Sequence, residues 1–198
     1  MASVAQPKSQ DINGNTDFKQ NPRWFLAHEA AHFWQVDLGE DTARWHSEGG
    51  ADFIAFTAML ALGHMSQNEG NTALTALLEP AIEGLKKTSL VEANLNGAPE
   101  LNYKAAPLVM LAADSAVDLD IFEIEISLSQ VDPDQHQTNP MQAFIDVLRQ
   151  AGASPTACPA IEAFITTNQP FPRTALIDLF KATNLNCRIE DNRIMISL

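Results

Sequence analysis

Two histidines and two acids stand at spacings that let them share one small ion. His28 and His32 bracket Glu29 in the run Trp24-Phe25-Leu26-Ala27-His28-Glu29-Ala30-Ala31-His32-Phe33-Trp34-Gln35. On an α-helix residues four apart lie one above the other, so two neutral imidazoles can grip one Zn²⁺ while Glu29 points close to a water at the same place. A catalytic zinc takes three protein ligands and keeps a fourth position open. Glu48, in Trp45-His46-Ser47-Glu48-Gly49-Gly50-Ala51-Asp52, can be the third. Asp52 follows it by four residues on the same helical face, where it can accept the outer N–H of a histidine ligand, fixing its tautomer and raising its basicity. The pair of histidines alone is a short pattern that arises by chance; with Glu48 and Asp52, independent residues fit one geometry.

Two helices must carry these groups. Asn21-Pro22 is a cap followed by proline at the first helical position, and the first helix is expected from Pro22 to Val36, stopping at Asp37-Leu38-Gly39 with Gly39 in the left-handed conformation. Asp41 or Thr42 is the expected cap of a second helix that carries Trp45, Glu48, Asp52, Phe53 and Phe56 to about Gly63. Fifteen residues separate His32 from Glu48, so the two helices should form an antiparallel pair. With His32 about four residues before the corner and Glu48 about six after it, both lie roughly 6–9 Å from the turn and can meet.

At these residues the chain resembles the gluzincin metallopeptidases. His28-Glu29-x-x-His32 followed by Trp45-x-x-Glu48-Gly49-x-Ala51 is most similar to the aminopeptidase N type, and Glu48-x-x-x-Asp52 looks like the thermolysin pattern of a glutamate ligand backed by an aspartate. The resemblance implies a zincin-like helical catalytic domain, Zn²⁺ on His28, His32 and Glu48, and Glu29 as general base in the hydrolysis of a peptide or protein substrate. More weakly, Asn102-Tyr103-Lys104-Ala105-Ala106 looks like the Tyr-x-Lys-Gly-Ala segment whose tyrosine stabilises an oxyanion. Aligning Lys104 puts Asn102 at that position, yet Tyr103 is the only tyrosine in the chain and is the candidate. The chain departs from the family in its shorter gap from His32 to Glu48, in Ala105 for glycine, and in having neither a Gly-x-Met-Glu-Asn stretch nor a preceding β-rich region. The groups that anchor a free amino terminus are therefore missing, and exopeptidase or endopeptidase action is left open.

Composition sets the frame. The chain has 198 residues, 45% hydrophobic and 19% charged, enough to bury a core and too apolar for disorder. No apolar run is long enough to cross a bilayer. A formal net charge of -13 speaks against nucleic acid and anionic membranes as partners. Cys158 and Cys187 could pair or stay separate thiols. Met1-Ala2-Ser3-Val4-Ala5-Gln6 has no apolar core of a signal peptide, so a periplasmic or extracellular setting is favoured only if a leader was removed ahead of it.

The expected fold is mainly α: a polar arm over 1–20, a helical catalytic domain over 21–130, and a C-terminal helical lobe with a small hairpin over 131–198. Further helices are expected at about Gln67 to Lys86 and Asn102 to Val117, the latter buried. Ile121 to Gln130 alternates like a strand, and its helical neighbourhood favours helix. Val131 to Thr138 reads as a linker. Asn139-Pro140, Ser154-Pro155 and Phe171-Pro172 each open a helix, and Cys187 to Ile196 is a hairpin turning at Asp191-Asn192. His46 is expected at the rim or surface, His64 and His136 exposed or capping, Trp24, Trp34 and Trp45 in the core around the helix pair, and Asp37, Glu40 and Asp41 in a solvated turn. The function expected is that of a zinc-dependent metallopeptidase; the alternative is a zinc protein that binds peptides or serves structure without turnover.

Overall fold

The computed structural model describes residues 22–39, 43–190 and 193–197. The expected arm over 1–20, the Asn21, Asp41 and Thr42 caps, Glu40, the hairpin turn at Asp191-Asn192 and the side chain of His136 lie outside the described residues. Nine helices and one two-stranded sheet follow in order among these residues: α1 (Pro22–Ala31), α2 (Arg44–Ala61), α3 (Gln67–Leu85), a 3-10 turn (Pro99–Tyr103), α4 (Ala106–Ala116), α5 (Ile121–Ser129), α6 (Pro133–Thr138), α7 (Pro140–Gln150), α8 (Ala157–Thr166), α9 (Pro172–Ala182), β1 (Cys187–Glu190) and β2 (Arg193–Ile196). The fold is mainly α with a terminal hairpin.

The central element is α2. It packs on α1 and on α4, and buries nearly its whole circumference from Gly49 to Phe56. That density needs small residues: a Cβ on Gly49 would fall 2.2 Å from Cβ of Ala106, so only glycine lets α2 and α4 approach this closely. The next helix over, α4, is buried from Ala106 through Ala113, as an apolar run with no polar face must be. One hydrophobic cluster joins these helices to α7, α8, α9 and the hairpin, from Trp24 to Ile196.

Local signals account for most helix starts. A capping box opens α3, with Ser66 Oγ accepting from Glu69 N–H and Glu69 accepting from Ser66 N–H. Asp120 and Glu123 do the same for α5. This cap settles the ambiguous stretch as helix, and Ile121, Ile124, Glu125 and Leu128 form its buried face at helical spacing. The expected linker after it holds a helical turn and a half, α6, because Asp132 caps Pro133 by accepting from Asp134 N–H. The hairpin pairs Cys187 with Ile196 and Ile189 with Ile194, antiparallel, and leans on α3, where Ile196 N–H donates to Thr75 Oγ1. Cys158 and Cys187 are free thiols.

One boundary differs from expectation in a way that matters. The first helix ends at Ala31, not Val36, and His32 to Gln35 form a turn. The last bonds tighten to Phe33 N–H on Ala30 C=O and Trp34 N–H on Ala31 C=O. The chain then leaves because its next polar groups are engaged elsewhere: Gln35 Nε2 donates to the carbonyl of His46 and Val36 N–H donates to Glu125. Gly39 is left-handed as expected, at φ +92, but it caps no helix; it sits in a turn where Asp37 accepts its N–H.

Candidate metal centre

The site is built from the last turn of α1, the first turns of α2 and the end of the 3-10 turn. His28 comes from α1, His32 from the turn just beyond it, and Glu48 from α2. Their donor atoms all lie within 4.8 Å of one another. His28 Nε2 is 3.2 Å from His32 Nε2 and 3.6 Å from Glu48 Oε2. These edges can be compared with what zinc requires. Ligands at about 2.05 Å in a tetrahedron stand roughly 3.3 Å apart, so two edges of the triangle are already at metal-binding size. Two imidazole nitrogens and one carboxylate oxygen are also a donor set that suits Zn²⁺.

Asp52 orients His28. Its Oδ1 accepts from His28 Nδ1–H at 2.7 Å and also from the indole of Trp24 at 3.4 Å. With Nδ1 so engaged, His28 turns Nε2 toward His32 and Glu48. The electrostatics follow from this geometry. Burial works to lower the His28 pKa, but the hydrogen bond to Asp52 and the neighbouring Glu48 outweigh it and push the ring up to about 9. The hydrogen bond from His28, opposed by burial and aided by Tyr103 and Arg44, holds the Glu48 carboxyl well below the usual carboxylate range. Arg44 approaches Glu48 to 3.4 Å from the previous helical turn.

Tyr103 reaches the site. Its ring lies 6.3 Å from that of His28, and its hydroxyl hydrogen-bonds Glu48. Burial first, and then that bond, push the phenol up to about 12. Asn102, the residue that strict alignment favoured, is buried and points away, donating to Asn94 Oδ1 and Pro99 C=O. Glu29 is exposed and, with Trp24, Phe25, His28, Asp52 and Tyr103, lines a cavity of about 380 Å³ on one side of the cluster. On the other side, His32, Arg44, Ser47 and Glu48 border a second cavity of about 270 Å³. The cluster thus opens on two sides, one walled by aromatic rings and the other largely polar.

Two expectations are corrected here. His46 is not at the rim: its side chain is fully buried, with Nε2 3.0 Å from Glu125 Oε1, because α5 covers the start of α2. Trp34 is not core but 71% exposed, beside Phe33 at 90%, because the helix ends before it could turn inward. Trp24 and Trp45 are buried, and His64 is exposed. Sequence reasoning missed Gln35 and Glu125 entirely; the one signal for Glu125 was an acid on the same helical face as Ile121, Ile124 and Leu128.

No family model matches this chain, no curated protein matches it significantly in sequence, and no solved structure matches it significantly.

Proposed function

We propose that this chain is a zinc-dependent metallopeptidase of the gluzincin kind, with His28, His32 and Glu48 as ligands and Glu29 as general base. The observation that carries the proposal is the triangle of donor atoms, two of whose edges are 3.2 and 3.6 Å, with Asp52 fixing the tautomer of His28. Held there by His28, His32 and Glu48, zinc would supply the acidification of a water and the polarisation of a carbonyl. The chain's own groups do the rest. Glu29 takes the proton from the attacking water and returns it to the leaving amine, so that one side chain serves as base and then acid. Arg44 and Tyr103 steady the Glu48 carboxylate. Trp24 and Phe25 offer an apolar wall to a peptide side chain lying along the cavity that Glu29 lines. Among the described residues no helix is long and apolar enough to cross a membrane, so a membrane-spanning helix has no part in this reading.

A second reading, a zinc protein without turnover, has one observation in its favour. The Tyr103 hydroxyl is engaged with Glu48, so it is not free in this state to meet an oxyanion. Metal analysis paired with a peptide-library assay separates the two. Peptidase function requires one equivalent of zinc and cleavage that disappears in Glu29→Gln while zinc is retained. Zinc without cleavage of any library member gives the second reading, and a chain that takes up no zinc refutes both.

A further inference from the structure

Beneath the metal centre lies a knot of buried polar groups that the hydrolytic chemistry does not use. Among the described residues, the buried side-chain atoms without a hydrogen-bond partner are Gln35 Oε1, Trp45 Nε1, His46 Nδ1 and Nε2, and Glu125 Oε1. Three of these residues, Gln35, His46 and Glu125, meet at one place, where the chain leaving α1, the first turn of α2 and the middle of α5 converge. Glu125 is 3% exposed and His46 0%, and Glu125 Oε1 faces His46 Nε2 at 3.0 Å, off the hydrogen-bond axis. A core built for stability alone would place apolar side chains here, since buried polar groups are favourable only when fully paired.

What the knot does make are two bonds to the segment that follows His32. Glu125 Oε2 accepts Val36 N–H at 3.2 Å, and Gln35 Nε2 donates to His46 C=O at 3.0 Å. Gly50 provides the room: a Cβ there would fall 2.4 Å from Gln35 Nε2 and 3.9 Å from Glu125 Oε1. The segment so tied needs holding. His32 lies outside α1, its side chain is exposed, and the backbone bonds of its turn run to Ala30 and Ala31. His28, by contrast, is fixed within a helix and by Asp52. The knot joins the chain three residues after His32 to a carbonyl two residues before Glu48, and the chain four residues after His32 to Glu125 on α5.

We propose that Gln35 and Glu125 are positioning residues of the metal centre, clamping the His32 turn against the start of α2 so that His32 Nε2 stays within ligand distance of His28 and Glu48. The proposal rests on reading the cluster as a metal site. Neither residue touches the metal or the substrate; both act through the backbone. Gly50 belongs to the same device, because its lack of a side chain is what admits Gln35.

The test compares the full chain with Gln35→Ala, Gly50→Ala, Glu125→Ala and Glu125→Gln, and with Ser66→Ala, which loses the α3 cap far from the site, as a control for stability. Zinc affinity is read by chelator competition, the visible spectrum of the cobalt-loaded chain reports ligand geometry, and thermal unfolding of the metal-free chain reports the fold. In Gly50→Ala the clash is with the far end of a flexible side chain, so the fold survives and Gln35 is displaced. Gly50→Ala and Gln35→Ala should weaken zinc by about tenfold or more, the scale on which supporting partners of metal ligands act. They should also alter the cobalt spectrum, while unfolding no earlier than Ser66→Ala. Glu125→Gln, which keeps an oxygen for Val36 N–H, should retain the affinity that Glu125→Ala loses. If Glu125→Ala does not fold, the other three variants decide. Variants that unfold earlier but bind zinc within threefold of the parent, with an unchanged spectrum, overturn the clamp and leave the metal reading standing. A parent chain that binds no zinc overturns the metal reading, and the clamp with it.

Discussion

Asp52→Asn separates two opposing effects that one carboxylate would have on zinc binding, each with its own dependence on pH. Asp52 and Glu48 push the His28 ring up to about 9, so at pH 7 a metal bound there would have to displace a proton from a mostly protonated ring, which would weaken apparent binding by about two decades. At pH 9 and above that competition fades. Asparagine is isosteric and can still accept from His28 Nδ1–H, but it carries no charge. The His28 pKa should therefore fall back toward its ordinary value of about 6.5, and most of the proton competition at pH 7 should disappear. The same substitution would remove the charge that, on the proposed reading, makes His28 a stronger ligand, a loss of about 10- to 100-fold in affinity. At pH 9.5 only this loss remains, and Asp52→Asn should bind zinc about 10- to 100-fold more weakly than the parent. At pH 7 the two effects largely cancel and the affinities should converge. The assay is chelator competition from pH 6.5 to 9.5; the parent's log affinity should rise about one unit per pH unit up to 9, and the variant's should be nearly flat above 7. A ratio of affinities constant across that range refutes the assignment of the proton to His28. Stability of the metal-free chain gives a parallel check. A ring whose folded pKa is raised from 6.5 to about 9 stabilises the fold fully below 6.5, and that contribution is lost as pH rises through 9. The gap in Tm between parent and Asp52→Asn should accordingly narrow from pH 6 to above pH 9.

Two further outcomes concern the scaffold. Gly49→Ala puts a Cβ 2.2 Å from Ala106 Cβ and 3.0 Å from its carbonyl carbon, a clash with backbone that only a shift of α2 from α4 relieves. It should cost about 1–3 kcal/mol in urea unfolding, and an unchanged midpoint would mean that the two helices do not touch there. Asp114 has its pKa raised to about 6 by burial first and by the nearby Asp120 second. Because the folded value lies above the unfolded one, the ionised form opposes folding above pH 6 and the penalty vanishes as pH falls below about 4. Asp114→Asn should therefore raise Tm at pH 7.5 and lose that advantage at pH 3.5; equal Tm values at pH 7.5 would show that the carboxyl is hydrated rather than buried.

The parts of this site legible in the sequence were those set by spacing along one helix or by a local cap. His28 and His32 four apart, Glu48 and Asp52 four apart, and the Asn139-Pro140 and Phe171-Pro172 helix starts are all local statements, and each left a mark within a few residues. The capping box at Asp120 and Glu123 was legible in principle and outweighs the strand-like alternation that follows it, because a cap satisfies backbone donors that no strand would leave open. What could not be read is what distant elements impose. Where α1 ends is decided by Gln35 and Val36, whose partners are His46 and Glu125 on other helices. His46 is buried for the same reason: Glu125, 79 positions along, comes with α5 to cover it. The exposure of Trp34 follows from that early helix end, since a side chain meant for the inner face no longer has a helix to carry it there.

The shortened α1 changes how the centre must work as a unit. A continuous helix would fix both imidazoles by the same backbone bonds, and the two would rise or fall in order together. Here the proposed ligands divide. His28 and Glu48 have side chains 12% and 14% exposed, are joined to Asp52, Tyr103 and Arg44, and stay ordered by contacts on three elements. His32 is exposed, stands on a turn, and meets the His28 ring edge-on with 3.2 Å between the two Nε2 atoms. His28 Nδ1 faces Asp52 and its Nε2 faces His32 Nε2 and Glu48 Oε2; burial lowers the ring's pKa, and the Asp52 hydrogen bond first and Glu48 second outweigh it. Uptake of the proposed metal would exchange one cation for another beside two carboxylates, Asp52 and Glu48. On the proposed reading, a dependence of zinc affinity on pH, through His28, and on the His32 turn, through Gln35 and Glu125, would both follow from this division.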